Sequence, residues 1–216
     1  MATIALLGAT GRSGVPFTKL ALQQGHTIQA LVRDPLKVTV QHPQLRIIKG
    51  NALNPADIGK VLQGADGVVS FLGQDKASQP DLQTKATDLI ISGMKTRQLR
   101  RLISVTGGGV RDTVQDKPGF MDNLIVFIMK NLAGAGPRNA LADGISHADR
   151  IKQSGLDWTI VRGPMLTDDP AKGTHQVGYV GTVGGIKLPR ADLAAFVLDE
   201  WESGEWTGKM PFVTNG

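Results

Sequence analysis

LLGATGRSG, residues 6–14, is an apolar run that stops at a glycine and is followed by two more glycines at intervals of three. The run it closes, TIALLG (3–8), is short and continuously apolar, as in a strand covered on both faces. The residues after it, RSGVPFTKLALQQ (12–24), read as a helix with Gly25 as its stop. A glycine-rich turn between a strand and a helix has a physical use. The turn needs a residue free of Cβ sterics, the backbone must come close to a pyrophosphate, and a glycine in the first helical turn lets helix and strand approach. The helix N-terminus then offers unpaired N–H groups and the positive end of its dipole to the anion. The spacing is G-x-x-G-x-x-G rather than the G-x-G-x-x-G of longer dinucleotide-binding folds, but its context gives it the same meaning.

Outward from this turn, strands alternate with helices. TIQALV (27–32), QLRIIKG (44–50), GVVSFLG (67–73), RLISVTG (101–107), DWTIVRG (157–163) and KMPFVT (209–214) read as further strands. Helices are expected over 54–64, from Pro80 to about 98, over 138–154 and over 189–204. The pattern predicts an α/β fold, a doubly wound, mostly parallel sheet with helices on both faces, in one domain spanning 1–216. A helical insertion is expected at about 107–137 and a small substrate-side region from about 163 to 216. Ligands of such folds bind at the carboxyl ends of the strands. Those ends are Gly8 to Gly14, Arg33, Gly50 to Ala52, Leu72 to Gln74, Thr106 to Gly109 and Arg162 to Leu166.

The second strand ends ALVRDP, with Arg33 where NAD-specific sites carry an acid for the ribose hydroxyls. A guanidinium matches a 2′-phosphate in charge and geometry, and Arg12 supplies a second cation in the glycine turn. NADP is therefore the expected cofactor. The competing reading leaves Arg33 solvated and gives the ribose to Asp34.

Composition narrows the rest. The chain has 216 residues, 41% of them hydrophobic, no cysteine, and a net charge of +5. Disulfides, thiolate metal sites and cysteine nucleophiles are excluded, and a reducing cytoplasm fits. No apolar run approaches the roughly 18 residues of a membrane span, and no secretory signal is expected, since no Lys or Arg precedes the first apolar run. Aromatic residues are too few for a base-stacking platform. The cations Lys95, Arg97, Arg100 and Arg101 are read as complements to a helix dipole. Neither nucleic acid nor membrane is expected as a partner, and a monomer or weak homodimer is expected.

GATGRSG, LVRDP, GADGVVSFLG, SGLDWTIVRGPML and PRADLAAFVL together resemble the atypical short-chain dehydrogenase/reductases. The resemblance is to their NAD(P)H-binding, NmrA-like group and, within it, to the biliverdin-IXβ and flavin reductases. It implies NADPH held across the strand ends. Gly8, Thr10, Gly11, Arg12 and Ser13 would hold pyrophosphate and ribose, with Gly14 completing the turn, and Arg33 the 2′-phosphate. Asn51 and Ala52 would flank the adenine, and Leu72 and Gly73 the adenosine side. Thr106, Gly107, Pro164 and Met165 would line the nicotinamide. Two positions depart from the pattern: Gly107 stands where the flavin reductases have Ser, and Met165 where they have His.

The Tyr-x-x-x-Lys pair of most short-chain dehydrogenases, which protonates an alkoxide, is absent: four residues after Tyr179 stands Val183. Simple ketone reduction is thereby disfavoured. Hydride transfer to a flavin, linear tetrapyrrole or quinone needs no such acid, because charge spreads over the acceptor and water supplies the proton. The alternative is a regulatory NAD(P)H sensor without turnover. No catalytic residue is assigned, and no metal is expected, since the histidines lack ligand spacing. GISHAD (144–149) is not read as a triad, because sequence neighbours on a helix do not face one another, and Asp168 and Asp169 read as loop residues. The segment 119–132 is a helix candidate apolar all round, read as core, as a lid over an apolar pocket, or as a subunit contact. It is expected to border the nicotinamide end of the cleft.

Overall fold

The computed structural model describes residues 1–73 and 79–215, and Gln74 lies outside them. Strand β1 (Thr3–Leu7) leads into α1 (Gly14–Gln23), then β2 (Thr27–Val32), β3 (Leu45–Lys49), α2 (Pro55–Val61), β4 (Gly67–Ser70), α3 (Leu82–Thr96) and β5 (Arg101–Gly107). After β5 come two helices, α4 (Phe120–Asn131) and α5 (Ala135–Lys152), then β6 (Asp157–Gly163). Three short strands follow, β7 (Met165–Thr167), β8 (Gln176–Gly178) and β9 (Lys187–Pro189), before α6 (Arg190–Ser203) and β10 (Phe212–Thr214).

The main sheet has the order β3-β2-β1-β4-β5-β6-β10-β8. Its pairings are parallel except for β8 against β10. It is a Rossmann-type α/β sheet. The apolar run of β1 feeds both faces alternately. Ile4 and Leu6 join the cluster under α1 and α6, while Ala5 and Leu7 join the one under α2, α3 and α5. Each fully buried aliphatic side chain contributes about 1.5–3 kcal/mol, so a strand without polar positions is what two covered faces require. The chain runs from β1 to β2 and β3 on one side, then crosses to place β4 on β1's other edge. That reversal opens a crevice at the carboxyl ends of β1 and β4, where such folds bind ligands.

Three sequence expectations are corrected. β7, β8 and β9, of three residues each, were absent from the sequence reading because elements so short leave no periodicity. The cations near residue 100 do more than complement α3. Only Lys95 lies in its last turn; Arg100 clasps Asp157 through two 2.9 Å bonds, Arg101 reaches buried Glu200 at 2.6 Å, and Arg97 donates to the Gly59 carbonyl. Helix α4 is not core: none of its residues is buried.

The insertion before α4 is anchored to β6 by a buried ion pair. Arg162, fully buried, meets Asp116 at 2.6 and 2.9 Å and donates to the carbonyls of Val110 and Met210. Asp116 also accepts from the backbone N–H groups of Asp112 and Val180. The pair's remaining hydrogen-bonding capacity is thus used, the condition under which buried charges are tolerated.

Candidate functional site: a cationic cleft at the strand ends

The glycine turn is built by contact. Gly8 has φ +82°, and a Cβ there would sit 2.8 Å from the Phe71 carbonyl carbon, where the chain leaving β4 crosses. At Gly14 a Cβ would lie 2.1 Å from the Gly8 carbonyl oxygen, so α1 abuts the turn as closely as backbone allows. Gly11 donates to the Gly8 carbonyl, but among the described residues nothing accepts from the N–H groups of Arg12 and Ser13. The Ser13 side chain makes no cap bond, and the first turn of α1 carries no acid. The result is an anion cradle with open donors.

A cleft of about 800 Å³ extends from this cradle across the strand ends. Gly8, Thr10, Gly11, Arg12, Ser13, Arg33, Asn51, Ala52, Leu72, Gly73, Thr106, Gly107 and Pro164 line it. Gly14 and Met165 do not. Gly14 works behind the wall, and Met165, at 58% exposure, turns outward while Leu166 faces the cleft. Sequence reasoning missed Arg190 and Gln83. Arg190 opens α6 in the PRADL motif, and Gln83 lies in the first turn of α3. A polar residue in the first turn of a helix at a strand's carboxyl end was the available signal.

Among the described lining residues are three arginines, Arg12, Arg33 and Arg190, and no Asp or Glu. The acid that follows Arg33 is engaged in its own turn: the Asp34 carboxylate accepts from Leu36 N–H at 3.1 Å, capping a single 3-10 turn over Pro35–Lys37. Asp168 bridges two of the arginines at the rim, 3.2 Å from Arg12 and 2.7 Å from Arg190. At the other end, Asp143 of α5 accepts from Gln83 and Thr84 N–H, both at 2.9 Å, so the α3 N-terminus is already capped. Gln83 is itself buried, and its Oε1 has no partner among the described residues. At Gly107 a Cβ would meet nothing within 4 Å, so space does not demand glycine there.

Other candidates are removed from the cleft. Tyr179 packs edge-on against Trp206 at 5.8 Å and lines no part of it; burial raises its pKa. His147 is buried between Thr87 at 2.7 Å and Ser104 at 3.1 Å, and desolvation lowers its pKa to about 4. Ser146 is exposed and Asp149 pairs with Lys152, so no triad forms. No group of three or more metal-ligating side chains occurs among the described residues. Helix α4 does not border the cleft as expected. It is held beyond the rim, where Arg111 bridges the Gly108 and Asp122 carbonyls, and gives the cleft no side chain.

A βαβ sheet with an anion cradle at its switch point defines a dinucleotide-binding protein. The chain belongs to the NAD(P)H-binding family, matched over residues 8–203. It is 28% identical over 211 residues to YwnB of Bacillus subtilis, covering 94% of this chain and 93% of that protein. Among solved structures it resembles a short-chain dehydrogenase/reductase of Veillonella parvula in complex with NADP, with TM-score 0.77, 18% identity, and 99% and 94% of the two chains covered. It also resembles a putative NADH-flavin reductase of Streptococcus pneumoniae, with TM-score 0.76, 19% identity and full coverage of both chains. These likenesses establish the fold. The expected NAD(P)H-binding membership holds.

Proposed function

We propose that this protein is an NADPH-dependent reductase of conjugated acceptors such as flavins, linear tetrapyrroles or quinones. The observation that carries the cofactor choice is a cleft whose described wall holds three arginines, Arg12, Arg33 and Arg190, beside an Asp34 whose carboxylate caps its own turn. In this reading the open N–H groups of Arg12 and Ser13 hold the pyrophosphate, and Arg33 and Arg12 the 2′-phosphate. Asn51 and Ala52 flank the adenine, and Leu72 and Gly73 the adenosine. Thr106, Gly107 and Pro164 border the nicotinamide, with Leu166 in the place expected of Met165. The bound cofactor would supply a hydride to the acceptor, and water the matching proton. The chain's part is proximity and orientation, since Tyr179 lies outside the cleft and no side chain within it is assigned as an acid. The work is placed in the cytoplasm, in keeping with the lack of cysteine; no helix among the described residues is long and apolar enough to cross a membrane.

Anaerobic NADPH oxidation against a panel of flavins, biliverdins and quinones tests the reading. Turnover of at least one acceptor is expected. A second reading, a regulatory sensor that binds NADPH without turnover, draws on Gly107 and the outward Met165, which leave two expected polar groups missing. Tight NADPH binding with only background oxidation across the panel would decide for the sensor.

A further inference from the structure

Helix α4 is inside out. With 3.6 residues per turn, Asp122, Val126 and Met129 share one side. That side faces the protein: Val126 and Met129 pack against the core cluster, and Arg111 holds the Asp122 carbonyl. The opposite side carries Phe120, Leu124, Phe127, Ile128 and the polar Asn131, flanked by Met121, Ile125 and, one residue beyond the helix, Leu132. Phe120 is 80% exposed, Phe127 55% and Leu132 71%. Val114, in the loop before the helix, is exposed as well. An exposed face this largely apolar marks an interaction surface.

Charge says what covers it. The segment from Asp112 to Arg138 holds three acids, all engaged internally. Asp112 caps the N–H groups of Val114 and Gln115, Asp116 binds Arg162, and Asp122 accepts from Gly119 N–H. Its three cations, Lys117, Lys130 and Arg138, are exposed and have no ion pair among the described residues. A second copy docked face to face would bring these cations together with no carboxylate to meet them. An apolar helix face flanked by unpaired cations suits the interface of an anionic lipid bilayer. We infer that α4 is an interfacial helix by which the protein docks reversibly on anionic membranes, with Phe120, Phe127 and Ile128 in the acyl boundary and Lys117, Lys130 and Arg138 at the headgroups.

The test is flotation of the full chain with phosphatidylcholine vesicles, with and without phosphatidylglycerol. Two variants are compared, F127D/I128D and K117E/K130E/R138E, and unchanged NADPH affinity confirms that each is folded. Wild type should float with the anionic vesicles and far less with the neutral ones. Each cation near a bilayer contributes about fivefold in partitioning, so reversing all three should weaken binding by about a hundredfold or more, and F127D/I128D should abolish it. The inference is overturned if wild type ignores both vesicles, or if binding survives both variants. It is equally overturned if F127D/I128D converts a dimer to a monomer in sedimentation velocity while wild type stays off the lipid, since a second copy then covers the helix.

Discussion

Arg33 and Asp34 sit side by side in the sequence, and the structure assigns them opposite tasks. Arg33 lines the cleft, while Asp34 bonds to Leu36 N–H. Charge-assisted hydrogen bonds contribute roughly 1.5–3 kcal/mol each, reduced by screening at an open rim. Arg33→Ala should therefore weaken NADPH by about tenfold to several hundredfold and leave NADH nearly untouched, as read by fluorescence titration of both cofactors. Equal losses would make Arg33 structural. Asp168 gives a prediction of opposite sign. Its carboxylate occupies Arg12 and Arg190, so Asp168→Asn should tighten NADPH by a few-fold, an exposed ion pair being worth about 0–1 kcal/mol; a loss of affinity in the same titration would contradict this. At this scale the glycine turn and the arginine after β2 were legible because their roles follow from local backbone and charge. Met165 was not, because one residue's shift in a three-residue strand turned Leu166 inward instead.

Among elements, the anchor of the insertion is the most exposed to failure. Arg162 and Asp116 join β6 to a loop far away in sequence, and removing one partner of a buried pair costs about 3–5 kcal/mol. Asp116→Ala should lower the urea midpoint accordingly, whereas Asp112→Ala, which loses only turn capping, should cost far less. His147 ties α5 to α3 and β5 while neutral. Its pKa falls to about 4 from 6.5, so between these values the unfolded chain takes a proton that the folded one refuses. Its contribution is therefore complete above about pH 6.5 and lost as pH falls toward 4, by about 3 kcal/mol in all. His147→Gln should flatten the pH dependence of the urea midpoint across that window; an unchanged slope would show that His147 is not its source. The alternating elements were legible because continuous apolar runs and helical periodicity are local. That α4 lies on the surface was not, because apolar residues on all sides of a helix say nothing of which side the protein covers.

Over the whole molecule, the net charge of +5 is not spread evenly. The cleft's described wall carries Arg12, Arg33 and Arg190 without an acid, and the backbone donors of the glycine turn add fixed partial charges at its floor. The two contributions respond differently to salt. Arg12 and Arg33 stand at the exposed rim, within reach of counterions, and the Debye length contracts from about 10 Å at 0.1 M to about 3 Å at 1 M. The N–H groups of Arg12 and Ser13 lie where the bound pyrophosphate would itself displace solvent, and hydrogen bonds at contact distance are screened far less. A 2′-phosphate adds about −1.5 to −2 charges at the rim, whereas NADH meets the protein mainly through the floor. Raising salt from about 0.1 to 1 M should therefore narrow the preference for NADPH, chiefly by weakening NADPH and with a smaller loss for NADH. In Arg33→Ala the two cofactors should respond nearly in parallel. A preference that held constant across the salt series would mean that the 2′-phosphate is recognised by uncharged groups, and the arginine wall would lose its claim to setting the cofactor.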